Sequence, residues 1–125
     1  MRMRRLDDIT IFVRDLEKSR LFYHELFDMP IIDDQSAADL VTVRCGHQLI
    51  RLRAADEAHQ SMIGKAAFSM VARDSMHDIV HHFISYEVDV KEQPHQANGA
   101  EGAMEEIKIA DPDNNTINVV VYQNK

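Results

Sequence analysis

One cysteine in 125 residues leaves no partner for an intrachain disulfide, so packing rather than cross-linking must hold the fold. Cys45 is a poor nucleophile as well, because it stands beside Gly46 at a predicted hairpin turn with no catalytic motif around it. No apolar run approaches the roughly 18 residues that a membrane-spanning helix needs. The basic start Met1-Arg2-Met3-Arg4-Arg5 is not followed by the apolar segment of a signal peptide; it reads as a frayed arm. Basic residues are in deficit: 14 Lys and Arg against 21 Asp and Glu give a net charge of −7. A general nucleic-acid binder would want a basic face. These lacks describe a cytoplasmic globule with no nucleic-acid and no membrane partner. No nucleophile–base pair, phosphate loop or dinucleotide fingerprint is present either.

What is present is a repeat. Apolar residues at 45% and charged residues at 28% are those of an ordinary globule, and the length predicts a single domain over 1–125 with a sizeable core. Ile9-Thr10-Ile11-Phe12-Val13-Arg14-Asp15 leads into a helix, and Ala67-Phe68-Ser69-Met70-Val71-Ala72-Arg73-Asp74 does the same. The Arg-Asp step recurs 59 residues on, and a recurrence of that length fixes architecture before local detail.

The alternation of Ile9, Ile11 and Val13 with Thr10 and Phe12 predicts a half-buried strand over 7–13. Asp15 is a suitable N-cap for a helix over 16–27, with Leu16, Ser19, Tyr23, Leu26 and Phe27 on one face and Pro30 ending it. A short strand at 31–33 follows, then a hairpin of 39–44 and 48–53 turning at Cys45-Gly46-His47. Residues 54–64 form a polar, turn-rich linker. The second half predicts a strand over 66–72, a helix over 75–86 with Met76, Ile79, Val80, Phe83 and Ile84 on one stripe, a strand over 88–91 and a loop over 94–102. Ile107 and Ile109, then Thr116 to Tyr122, make a last hairpin across Asp111-Pro112-Asp113-Asn114-Asn115. The order β-α-β-β-β thus occurs twice. It implies an α+β fold of two tandem βαβββ modules, about 6–53 and 66–122. Helices outside would cover one face of a curved, mostly antiparallel cup whose free face is the default binding site.

In this pattern the chain resembles the vicinal oxygen chelate superfamily of glyoxalase I, fosfomycin-resistance enzymes, extradiol dioxygenases and bleomycin-binding proteins. The residues that carry the resemblance are Leu6-Asp7-Asp8-Ile9, then Val13-Arg14-Asp15-Leu16-Glu17-Lys18-Ser19 with Phe22-Tyr23 and Leu26-Phe27. At the other end, Asp111-Pro112-Asp113-Asn114-Asn115-Thr116-Ile117-Asn118 is similar to the family's Asp-Pro-Asp-Gly-Asn turn and the strand after it. Asn114 stands for the usual Gly, and asparagine is the next best residue for a left-handed turn position. The resemblance implies a homodimer and, in its enzymes, a divalent metal on His, Gln or Glu side chains, with positions left open for two adjacent substrate oxygens.

The positions matching those ligands read otherwise here: Asp8 for the first His, Arg51 for the glyoxalase Glu, Ala67 by the repeat offset and Asn118 for the closing Glu. A shift of two residues would put Lys65 in place of Ala67. One carboxylate and one amide do not build a transition-metal site, and Arg51 would repel the ion. No cofactor is therefore expected, with a divalent metal as the alternative. Asp8, Arg51, Arg53, Ala67 and Asn118 are instead expected to line a pocket for a small anionic or aromatic molecule. Arg51 would clamp it bidentately and Arg53 would share the face. Against this stands a salt bridge of Asp8 and Arg51 that only fills a vestigial site. Three functions stay open: a metal-independent binding protein; a metal-dependent lyase, isomerase or thiol transferase; and a structural or regulatory protein with a filled cup. Whether any reaction is catalysed stays open with them.

Other side chains take plainer readings. His77 and His81 have a chelating i, i+4 spacing, but they lie off the apolar stripe and read as a solvent-facing pair. His24, His47, His59, His82 and His95 have no partner at ligand spacing. Tyr23 reads as helix packing, and Glu105 and Glu106 as solvated residues ahead of the penultimate strand, with Glu106 on the face of Lys108.

Overall fold

A computed structural model describes residues 1–123 as two compact units that divide between Gly64 and Lys65. Each unit is a four-stranded sheet with one principal helix. The first sheet contains β1 (Asp8–Val13), β2 (Ile31–Gln35), β3 (Leu40–Cys45) and β4 (Gln48–Ala54) in the order β1-β4-β3-β2. The second contains β5 (Ala67–Val71), β6 (Asp89–Gly99), β7 (Gly102–Ala110) and β8 (Thr116–Tyr122) in the order β5-β8-β7-β6. The opening strand of each unit runs parallel to the closing one, and the other pairs are antiparallel. This is the α+β, doubled βαβββ pattern that the repeat predicts. Among the described residues no helix is long and apolar enough to cross a membrane.

The repeat extends to register. Thr10 lies beside Arg51 in the first unit as Ser69 lies beside Asn118 in the second, and Asp8 lies beside Leu49 as Ala67 lies beside Thr116. The offset of 59 therefore holds for the opening strand, and Ala67, not Lys65, is the counterpart of Asp8. In both sheets the strand alternation buries one set: Ile11, Val13, Val41, Val43, Ile50 and Leu52 in the first, Met70, Ile107, Ile109, Ile117 and Val119 in the second.

Helix α1 (Leu16–Leu21) is N-capped by Asp15, whose carboxylate accepts from the Lys18 N–H at 3.1 Å. The predicted single helix over 16–27 divides here, because Phe22–Leu26 widens into a π-helical turn. Three aromatic rings crowd that turn: the centroids of Phe22, Tyr23 and Phe27 lie 5.3–5.9 Å apart. A local widening relieves such crowding without breaking the helix. Tyr23 is fully buried, as packing requires. Helix α2 (Met76–Ser85) is capped by the Ser75 hydroxyl, which accepts from the Asp78 N–H, and it buries Met76, Ile79 and Phe83. Ile84 is exposed rather than on the stripe; eight residues beyond Met76 the stripe has rotated toward solvent. The linker is less irregular than its composition suggests, with a short 3-10 helix over Glu57–Met62 capped by Asp56.

The larger correction concerns 94–102. The predicted loop is strand: β6 runs through Pro94 to Gly99, and β7 starts at Gly102. Pro94 is tolerated because β6 is an edge strand with two register shifts around Glu92. Glu105 and Glu106 accordingly lie within β7 rather than ahead of it. Gly99 sits against Tyr122 and Met104, where an added Cβ would fall 2.7 Å from the Met104 sulfur and closer still to the Tyr122 hydroxyl. Overpacking of this kind costs about 1–3 kcal/mol. Gly99→Ala is expected to lower the urea midpoint accordingly, and an unchanged midpoint would show that Tyr122 yields freely.

Candidate functional site

In the first unit, strand alternation collects Asp8, Thr10 and Phe12 of β1 on one face with Arg51 and Arg53 of β4 and Leu40 and Thr42 of β3. This is the face away from Ile11 and Leu52. Arg51 Nε donates to Asp8 Oδ2 at 3.3 Å, so the two charges at the first and last strands of the module do pair. Both side chains keep 34% of their surface exposed, and a pair that wet contributes at most about 1 kcal/mol. Arg51 forms no other hydrogen bond or ion pair among the described residues, so its two terminal nitrogens are unpaired. Arg53 is exposed beside Phe12 and forms no ion pair among the described residues.

Two features of this face escape pattern reading. Thr42 faces Arg51 across the β3–β4 ladder; it is 1% exposed, and its hydroxyl has no hydrogen-bond partner among the described residues. Phe12 stacks on His59, with ring centres 4.4 Å apart and planes within 5°. His59 in turn pairs with Asp56 at 2.5 Å, and that hydrogen bond holds the Asp56 carboxyl below its ordinary range. The stack brings a linker residue against the sheet, which no local spacing indicates. Only the polarity of Thr42 between the apolar Leu40-Val41 and Val43 of β3 marks it in the sequence.

In the second unit the corresponding face carries Ala67 and Ser69 of β5, Asn118 of β8 and Lys108 of β7. Ala67 is exposed and offers no donor atom. Asn118 Nδ2 donates to Ser69 Oγ at 3.4 Å, and Asn118 Oδ1 is buried with no partner among the described residues. Beyond Lys108 lies a charged network on the bulged edge strand. Lys108 Nζ donates to Glu92 at 2.9 Å, His95 Nε2 is 2.9 Å from Glu106, and His95 Nδ1 is 2.8 Å from the Gln93 carbonyl. The bulges put His95 opposite Glu106, so counting residues along β6 does not bring the two together.

Both ring nitrogens of His95 face acceptors, which favours the imidazolium. The Gln93 carbonyl first and the Glu106 carboxylate second raise its pKa above the ordinary value. A histidine pKa raised by folding stabilises the fold fully below the unfolded value, about 6.5, and loses that contribution as pH rises through the folded value. The thermal midpoint is therefore expected to fall across that window by more in the native chain than in His95→Gln. Superimposable profiles would remove His95 as the cause.

The positions matching the family's ligands are occupied by Asp8, Arg51, Ala67 and Asn118. Asp8 is already bonded to a guanidinium, Ala67 has no donor, and Asn118 brings one amide. Among the described residues, no group of three or more His, Cys, Asp or Glu side chains could hold a metal. Burial pushes the Cys45 thiol up, away from the thiolate that nucleophilic attack needs.

The geometry accords with comparisons against known proteins. An integron cassette protein from the mobile metagenome of Vibrio cholerae is 26% identical, with a TM-score of 0.87 and 98% of both chains covered. A virulence protein of Salmonella typhimurium is 24% identical, with a TM-score of 0.85 over 98% of this chain and 99% of that one. A lactoylglutathione lyase from Agrobacterium tumefaciens shares the fold at 21% identity, with a TM-score of 0.71 over 94% and 92% of the two chains. The sequence profile of one superfamily matches residues 5–119, nearly the whole of both modules. On that match and on the doubled βαβββ register, the chain belongs to the glyoxalase/bleomycin resistance protein/dioxygenase superfamily.

Proposed function

We propose that this member binds a small anionic molecule without a metal, on the face of the first sheet that carries Asp8, Arg51 and Arg53. The observation that carries the reading is the way Arg51 is held. Asp8 takes Nε alone, which fixes the guanidinium while leaving the edge that recognises a carboxylate or phosphate bidentately. Arg53 adds positive charge on the same face, and the Phe12–His59 stack offers an apolar wall to a ligand with a planar body. The reading includes a homodimer, as in related folds, and the cytoplasm, where one unpaired cysteine suits a reducing compartment.

A thermal-shift screen of small carboxylates, phosphates and aromatic acids tests this reading. Metal analysis by plasma mass spectrometry after incubation with Mn, Fe, Co, Ni and Zn runs alongside it. The reading expects stabilisation by an acid and no metal that depends on Asp8. A stoichiometric metal that is lost in Asp8→Asn would overturn it and return the chain to the metal-dependent lyases, isomerases and transferases. Sedimentation of a monomer at every concentration would remove the dimer.

A further inference from the structure

Helix α2 carries a second arrangement, unrelated to either sheet face. We propose that His77 and His81 form an exposed two-histidine chelate for a late divalent transition ion of the copper(II) or nickel(II) class. The two rings stand one turn apart with centroids 4.5 Å apart and planes at 51°. Metal–imidazole bonds are about 2.0–2.1 Å, and a ring nitrogen lies about 1.1 Å from its ring centre, so each centroid would stand about 3.2 Å from a shared ion. Centroids 4.5 Å apart then subtend about 90° at the metal, whereas a tetrahedral angle would need roughly 5.2 Å. A right angle between neighbouring ligands is the geometry of square-planar and octahedral ions. Among first-row metals copper(II) binds nitrogen ligands most tightly.

The surroundings suit the assignment. Oδ1 of Asp78 is 3.5 Å from Nδ1 of His77. A carboxylate at that distance adds negative charge beside the imidazole, which favours a bound cation. The Ser75 cap fixes this first turn of the helix. His77 and Asp78 keep most of their side-chain surface exposed, so the ion would complete its shell with water. Chelation explains why the spacing matters: the second imidazole binds from an effective concentration set by the helix, which is worth about a hundredfold or more.

The test is calorimetric titration of the untagged full chain with copper(II), with copper resonance spectra read in parallel. One ion is expected per chain, with spectra showing two nitrogen ligands. His77→Gln and His81→Gln should each weaken binding by about a hundredfold, and His82→Gln should leave it unchanged. Glutamine at these exposed helical sites preserves helix propensity, and far-ultraviolet circular dichroism verifies it. If the double variant H77Q/H81Q binds copper as the native chain does, or if His82→Gln is the variant that loses it, the assignment is wrong. The site stands on α2 alone. Metal that survives Asp8→Asn and vanishes in the double variant would belong here and leave the anion-binding reading intact.

Discussion

Replacing Asn115 with alanine is expected to cost the fold about 3 kcal/mol, a large share of the roughly 5–15 kcal/mol that stabilises a small domain. Asn115 is fully buried at the turn before β8. Its Nδ2 donates to Asp111 Oδ2 at 2.9 Å, and its Oδ1 accepts the Ala66 N–H at 2.8 Å. The first bond is charge-assisted and contributes about 1.5–3 kcal/mol; the second is neutral and contributes about 1 kcal/mol, before counting the half-buried Ala66 donor it would leave without its partner. Other bonds of the turn, among them those from the Asp113 and Asn115 N–H groups to Asp111 Oδ1, do not involve the Asn115 side chain and should survive. Thr116 N–H also donates to the Ala66 carbonyl at 3.0 Å, so the loss should loosen the start of the parallel β5–β8 pairing. Urea denaturation measures the total, and hydrogen exchange at Ala66 and Thr116 localises it. A loss under about 1 kcal/mol would mean that water replaces both partners.

The same turn shows how far the sequence could be read. Asp111-Pro112-Asp113-Asn114-Asn115 predicts a turn with a left-handed residue, and Asn114 adopts a φ of +67°. Those preferences are local, carried by a ring that presets φ and by short polar side chains. The tie from Asn115 to Ala66 spans 49 residues and depends on how two strand ends meet. The β-α-β-β-β order was likewise legible, because periods of 2 and 3.6 report which face is buried. The path of β6 was not: Pro94 reads as a breaker, and only its place on an edge, with bulges on either side of Glu92, lets the strand continue. The site divides the same way. Asp8 and Arg51 could be placed together from the repeat and the resemblance, and they pair. The Phe12–His59 stack, the buried Thr42 hydroxyl and the His95–Glu106 contact each require knowing which residues a fold or a bulge sets opposite one another.

Arg51→Met should abolish most recognition of an acid found by the thermal-shift screen while leaving the fold almost as stable. The two effects separate because they draw on different parts of one guanidinium. Its ion pair with Asp8 is one-third exposed on both sides, so the stability at stake is at most about 1 kcal/mol. A bound anion on the two terminal nitrogens would gain charge-assisted bonds of about 1.5–3 kcal/mol, roughly ten- to a hundredfold in Kd. Methionine keeps the apolar stem and the strand preference without the charge. Asp8→Asn is the informative companion. It removes the carboxylate that positions Arg51 and competes with an anionic ligand, so its effect on binding should be smaller than that of Arg51→Met. In the double variant, stability losses that fall short of the sum of the singles would register the pair's coupling, and additive losses would show that the two side chains do not act together. Calorimetry with the selected acid reads the binding arm. If Arg51→Met binds that acid as tightly as the native chain, Arg51 is not the clamp. If instead affinity rises in Asp8→Asn and collapses in Arg51→Met, the pair behaves as a charge held in reserve for an incoming anion rather than as the plug of a vestigial metal site.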